Sequence, residues 1–272
     1  MNNRTLTDWL EYAESAHPKG IDMGLERVRR VAVRMGLLEQ TNTRYVIVAG
    51  TNGKGSTTVA IETLLGEMGI TVGATLSPHV HRFNERVRIA GNELDDVALC
   101  EAFAAVEAAR CGRVSGKRED IPLTYFEFAT LVALEAFRRA GVDIAVLEVG
   151  LGGRLDAFNI IDAEVAVVTS IGLDHQAFLG DDIEQIGREK AGVFRSGQTV
   201  VLGNVSQSVH AEAARLNCLT LAVGEAFDAP EAAASWDYHT ELVSFSSLPR
   251  RQLAPANWAL ALTAVLHFQT PE

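Results

Sequence analysis

Three runs constrain the fold more than anything else in the chain: YVIVAG at 45–50, DIAVLEVG at 143–150 and AEVAVVTSIG at 163–172. Each is apolar and β-branched, with almost no polar alternation. A strand with one wet face alternates in polarity, whereas a strand covered on both faces does not. TVGATL (71–76), QTVVLG (198–203) and LTLAVG (219–224) read as further strands. Segments of helical character lie between them, at 54–68, 95–110, 123–141 and 206–217. Strand–helix alternation of this kind predicts an α/β fold, with a mostly parallel sheet flanked by helices on both faces.

The remaining stretches fit around that sheet. LTDWLEYAESA and LERVRRVAVRMGLL have apolar residues at helical spacing, and HPKGIDMG between them reads as a loop. VRIAGNEL (87–94) predicts a hairpin turning through Gly91-Asn92. CGRVSGKRED (111–120) reads as a polar, mobile loop. In LTYFEFATLVALEAFRRAG (123–141), Thr124 and Glu127 have capping-box spacing and Gly141 is a good stop. APANWALALTAVLHF is a final helix. The expected organisation is a helical N-terminal segment (1–43), an α/β core (44–225) and terminal strands with a helix (226–272).

Of the 272 residues, 47% are hydrophobic and 22% charged, as in an ordinary globular chain. The formal net charge is −11 and the pI near 5.1. With no Lys/Arg-rich run, this argues against a nucleic-acid partner. An acidic chain that handles anionic ligands needs a local positive site. Cys100, Cys111 and Cys218 are odd in number and widely spaced, so they imply neither a disulfide framework nor a zinc site. The N-terminus lacks the apolar core of a signal peptide, and no apolar stretch reaches the length of a membrane span. We therefore expect a cytoplasmic monomer with no membrane partner.

Gly50-Thr51-Asn52-Gly53-Lys54-Gly55-Ser56 follows a strand and opens a helix, the context that a phosphate-binding loop needs. Glycines let the backbone approach phosphates, the helix dipole adds positive potential, and a lysine reaches the terminal phosphates. Ser56 or Thr57 could support a magnesium ion. The match to G-x-x-x-x-G-K-[ST] is imperfect, since Val48 stands at the first glycine position and Gly55 directly follows the lysine. Read alone, the loop could also be a tight strand–helix junction with an exposed lysine.

Glu148 sits in the apolar strand AVLEVG, just before the glycine-rich GLGGR. A buried charge there needs a partner or a metal, unless it faces solvent at the strand end. Ligands in open α/β sheets collect at the carboxyl ends of strands. The loop at 50–56, Ser77, Glu148 and His175 all follow or end predicted strands at that edge.

The loop GTNGKGS resembles the ATP loop of the Mur ligase superfamily, and the glycine after the lysine resembles the folate branch, the dihydrofolate and folylpolyglutamate synthases. IDMGLERV, LSPHVHRFNERVRI, LTYFEFATL, LEVGLGGRLDA, VVTSIGLDH and IGREKAGVFR resemble segments of that family in the family's order, from about residue 20 to 195. The resemblance implies an ATP-dependent ligase that joins L-glutamate to dihydropteroate or to folates through an acyl phosphate. It implies ATP contacts at Thr51, Asn52, Gly53, Lys54, Gly55, Ser56, Thr57 and Asn257, with Lys54 and Lys190 catalytic. Ser77, Glu148 and His175 would hold two magnesium ions, with Lys190 carbamylated. Ile21–Met23 (Ile21, Asp22, Met23), Thr124–Glu127 (Thr124, Tyr125, Phe126, Glu127) and Leu155–Ala157 (Leu155, Asp156, Ala157) would contact the pterin substrate.

The chain departs from the family at Phe158, where a threonine is usual, and at Gln176 and Ala177 after Asp-His. The family also carries a C-terminal Rossmann-like, glutamate-ligase domain, which we expect to be missing from a chain ending at Glu272. Two alternatives therefore stand beside the ligase: a catalytically incomplete nucleotide- or pterin-binding fragment, and a ligase for peptidoglycan precursors.

Overall fold

The computed structural model describes residues 4–39, 42–114, 117–229, 235–249 and 252–267. Helices α1 (Leu6–Ser15) and α2 (Glu26–Arg34) precede β1 (Arg44–Ala49), α3 (Lys54–Glu67) and β2 (Val72–Thr75). A hairpin of β3 (Val87–Ile89) and β4 (Asn92–Glu93) leads to α4 (Asp96–Arg110). A second hairpin, β5 (Cys111–Val114) and β6 (Lys117–Asp120), leads to α5 (Tyr125–Ala140). Then come β7 (Ile144–Glu148), β8 (Val165–Ser170), α6 (Gln176–Leu179), α7 (Ile183–Ala191), β9 (Thr199–Asn204), α8 (Gln207–Arg215) and β10 (Leu219–Ala222). Short strands β11 (Phe227–Asp228), β12 (Ser235–Thr240) and β13 (Ser244–Pro249) precede α9 (Pro255–His267).

The main sheet has the order β10-β9-β8-β1-β7-β2-β3-β4. The strands from β10 to β2 are parallel, and β3 and β4 add an antiparallel edge. The apolar runs behave as their composition predicts, because each strand buries alternate residues in two different cores. Ile47, Ala49, Leu147 and Val168 face a layer formed with α1, α2, α4 and α5. Val46, Val48, Val146 and Val167 face a layer that includes α3 and α9. The sheet β11-β12-β13 completes the second layer with Phe227, Trp236 and Tyr238, and the Tyr238 hydroxyl meets Thr263 Oγ1 at 3.0 Å. Among the described residues, no helix is long and apolar enough to cross a membrane.

Three local expectations are corrected. The hairpin turns through Ala90-Gly91, because Ile89 pairs with Asn92 and both turn residues have positive φ. In the segment expected to be polar and mobile at 111–120, Cys111–Val114 and Lys117–Asp120 are paired antiparallel strands. Its Glu119 binds Arg30 and Arg34 of α2, charges that no local pattern announces. Helix α2 stops at Arg34, short of Leu38, as Gly36 adopts φ +70°. The capping box at Thr124–Glu127 forms as spaced: the Thr124 hydroxyl accepts from Glu127 N at 3.3 Å, and the Glu127 carboxylate accepts from Thr124 N at 2.8 Å.

Candidate functional site

The site lies at the carboxyl ends of the central strands, where β1 is flanked by β7 and β8. This is where the direction of strand addition reverses, the usual crevice of an open α/β sheet. The loop after β1 is held tightly. Gly50 has φ +142°, and a Cβ there would stand 2.0 Å from Thr169 Oγ1. Thr169 donates to Asn52 O at 2.6 Å, and Ser170 Oγ meets the same carbonyl at 3.2 Å. Gly53 has φ +85°, and a Cβ there would meet Asn257 Oδ1 at 2.6 Å. Only glycine meets both demands, of conformation and of space. Thr169 and Ser170 lie in the segment VVTSIGLDH, but no spacing singled out either residue.

Lys54 begins α3, and its Nζ donates to Gly50 O at 3.2 Å and Thr51 O at 3.3 Å. Of the two hydroxyls in the first turn, Thr57 is fully buried and directed at Asn257 Oδ1, 3.4 Å away. Ser56 is the half-buried one, and so the more available to a ligand. Asn257, on α9, thus stands beside the loop. Asn52, Gly53 and Asn257 share a cavity of about 800 Å³ with Phe227, Asp228 and His239.

Lys190 on α7 is not a solvated helix lysine. It is buried, and its Nζ donates to Gly50 O at 2.8 Å. Burial, reinforced by the Lys54 cation, pushes its pKa down to about 8. Glu148 ends β7, buried, with its carboxylate accepting from Ser77 N at 2.8 Å. Burial pushes its pKa up to about 7, although the Ser77 bond and the Lys54 charge pull the other way. A Cβ on Gly55 would lie 3.5 Å from both Glu148 oxygens, so the carboxylate reaches the base of the phosphate loop.

A second cavity, of about 370 Å³, adjoins this centre. That volume suits a small organic ligand. Its walls include Ile21, Asp22 and Met23 from the loop before α2, Thr124, Phe126 and Glu127 from the start of α5, and Leu155, Asp156 and Ala157. Ser77, Arg86 and His175 also line it. Eleven of the thirteen residues from the three expected substrate segments and the metal set, Glu148 and Tyr125 aside, gather in its lining. Tyr125 is turned instead onto Phe83, with ring centroids 6.2 Å apart. His175 is half exposed, with φ +47° and Nε2 3.6 Å from Asp174. Arg86, which the sequence reading did not single out, is a substantially buried cation whose Nε donates to His79 Nδ1 at 2.8 Å.

Asp156, which lines the cavity, also organises its own loop. Its two oxygens accept from the backbone N–H groups of Gly150, Leu151 and Phe158 at 2.9–3.0 Å. It shapes the loop after β7, despite complete burial that raises its pKa to about 6. Phe158 is buried and packs edge-on against Phe126, at 5.9 Å between centroids. It therefore supports the aromatic wall of the cavity from behind. Phe158→Leu is expected to cost about 1 kcal/mol in urea unfolding, the share of an aromatic pair, and to loosen Phe126. The side chains of Gln176 and Ala177, the other two departures, lie outside the described residues.

The donors present suit a hard divalent cation. Glu148 is a buried carboxylate beside Ser77 and the base of the phosphate loop. Among the described residues no group of three His, Cys, Asp or Glu side chains could hold a metal alone. Magnesium commonly binds through one or two carboxylates completed by substrate phosphates and waters.

Residues 48–260 match the family described as the Mur ligase middle domain. The dihydrofolate synthase/folylpolyglutamate synthase of Haemophilus influenzae is 44% identical over 263 residues, covering 96% of this chain and 58% of that protein. Escherichia coli FolC, solved in complex with DHPP and ADP, superposes with a TM-score of 0.92 at 42% identity, covering 99% of this chain and 63% of that one. A bifunctional folylpolyglutamate synthase/dihydrofolate synthase solved with Mn, AMPPNP and L-glutamate gives a TM-score of 0.88 at 43% identity, with 99% and 63% covered. The chain thus spans less than two thirds of the length of these relatives. With a match that runs from β1 into α9, this chain belongs to the Mur ligase family.

Proposed function

We propose that this chain forms the ATP- and pterin-binding part of a dihydrofolate synthase/folylpolyglutamate synthase. The observation that carries the reading is adjacency: the phosphate loop and the 370 Å³ cavity meet at Ser77 and Glu148. The relatives solved with DHPP, ADP, AMPPNP, Mn and L-glutamate support it.

In this reading the carboxylate of dihydropteroate, or the γ-carboxylate of a folate, points from the cavity toward Lys54. Its oxygen attacks the γ-phosphorus of ATP, the bond to the β–γ bridging oxygen breaks, and ADP leaves. The amine of L-glutamate then attacks the acyl carbon, phosphate departs, and the nitrogen loses a proton to give the amide. Lys54 and the loop N–H groups orient the phosphates and stabilise the transferring charge. Ser77, Glu148 and His175 would hold divalent metal, which when bound offsets phosphate charge. Phe126, backed by Phe158, offers a flat surface to a heterocycle. Lys190 has a depressed pKa, and a neutral amine is the form that adds CO₂. Addition of CO₂ releases one proton and leaves one N–H on Nζ, still able to donate to Gly50 O, while the carbamate would present an anion to the metal region.

The test is ADP release from magnesium-ATP with dihydropteroate, with and without L-glutamate. Release that needs glutamate supports the ligase. Binding of both ligands without glutamate-dependent release supports a binding part alone. A chain that binds neither ligand contradicts the reading.

A further inference from the structure

Two walls of the 370 Å³ cavity come from parts of the chain with no covalent reason to stay in register. One is the loop from Gly20 to Gly24, which has no regular secondary structure. The other is the first turn of α5. A single side chain from α2 joins them. Arg27 Nη1 donates to Asp22 Oδ2 at 2.7 Å, and Nη2 donates to the Asp22 carbonyl at 2.5 Å. On its other side, Nε lies 3.4 Å from Glu127 Oε2, and Nη2 lies 3.2 Å from Oε1. Glu127 is only 3% exposed, and its carboxylate caps α5 at Thr124 N. Asp22 is further gathered by Lys19 Nζ at 3.3 Å and His17 Nε2 at 3.5 Å.

We infer that Arg27 is a positioning residue that fixes the Gly20–Gly24 loop against the start of α5, and so sets the width of the substrate cavity without touching the substrate. This rests on the proposed reading of that cavity as the pterin site. The planar fork of arginine suits the task, since it can serve two acceptors on Asp22 and face a carboxylate on the other side. A lysine keeps the charge but cannot hold all these contacts at once. Loss of the guanidinium leaves the Glu127 carboxylate buried and uncompensated, and frees the loop. Asp22 and Glu127 then serve the substrate largely through the geometry they impose. Nucleotide binding is built from other elements, the loop after β1 and the start of α9, so Arg27 has no direct hold on it.

The experiment measures dihydropteroate affinity by tryptophan fluorescence and ADP affinity by calorimetry, for the chain, Arg27→Ala and Arg27→Lys. We expect Arg27→Ala to weaken dihydropteroate by about tenfold, the scale of a displaced positioning contact. Arg27→Lys should fall between it and the unaltered chain, and ADP affinity should hold within about twofold in both. Unchanged dihydropteroate affinity in Arg27→Ala overturns the inference, and so does a parallel loss of ADP affinity, which marks a general structural role. If Arg27→Ala fails to fold, Arg27→Lys decides alone: an intermediate loss supports the inference and wild-type affinity overturns it. If the unaltered chain binds ADP but no dihydropteroate, the cavity reading itself fails and takes this inference with it.

Discussion

Lys54→Ala is expected to lower the affinity for magnesium-ATP by about two to three orders of magnitude, comparable to losing a key electrostatic contact in a phosphate or oxyanion site. Lys54 Nζ rests on the carbonyls of Gly50 and Thr51, and no carboxylate forms an ion pair with it among the described residues. An ammonium held only by neutral oxygens keeps its charge available to an anion. The fold should survive, because those two bonds are local and the glycine contacts with Thr169 and Asn257 remain. The same substitution should raise the pKa of Lys190, since the Lys54 cation is one of the forces that depress it. Calorimetric titration with a non-hydrolysable ATP analogue, alongside a thermal melt, separates lost affinity from lost fold.

Glu148→Gln is expected to act in opposite directions on function and stability. In the folded, ligand-free protein the Glu148 carboxyl has a pKa of about 7, against an ordinary value of 4.5. The native state therefore holds this proton more tightly than the unfolded state. The associated stability is fully present below 4.5 and is lost as pH rises through about 7. At about pH 8 the ionised, buried carboxylate costs up to about 3 kcal/mol. Glutamine keeps an oxygen to accept from Ser77 N but carries no charge. Ligand-free Glu148→Gln should thus be more stable than the unaltered chain at about pH 8 and no more stable at about pH 4. It should also lose the stabilisation that magnesium and nucleotide confer together. Urea unfolding at both pH values, with and without magnesium-ATP analogue, reads all of these effects. A variant that is less stable at high pH and still responds to magnesium would remove Glu148 from the metal assignment.

Much of the fold is legible in the chain because it is written in local chemistry. β-branched runs without alternation become strands buried on both faces, and Thr124, Glu127 and Gly141 mark the ends of α5 as their chemistry requires. What escaped was set by distant partners. The hairpin at 111–120 is anchored by Glu119 to arginines on α2, more than eighty residues earlier. Ala90 takes a positive φ that alanine does not advertise, so the turn sits one residue before the Gly-Asn signal.

The candidate site divides in the same way. The glycine-rich loop and Glu148 stand out in the residues themselves, the three expected substrate segments only through the family resemblance, and the fold brings all of them to one edge. The directions of individual side chains were not legible: Tyr125 faces Phe83, Asp156 binds its own loop, and Thr57 faces Asn257. Thr169, Arg86 and Arg27 gain their significance only from neighbours far along the chain, and no spacing rule would have selected them.

The central claim is that one edge of this sheet binds a nucleotide and a pterin side by side. The most direct measurement is the affinity for a magnesium-ATP analogue, determined alone and with saturating dihydropteroate. We expect metal-dependent nucleotide binding that Lys54→Ala weakens by about two to three orders of magnitude, and a dihydropteroate site that remains open when the nucleotide is bound. Competition between the two ligands for a single site, or nucleotide binding indifferent to metal and to Lys54, would contradict it.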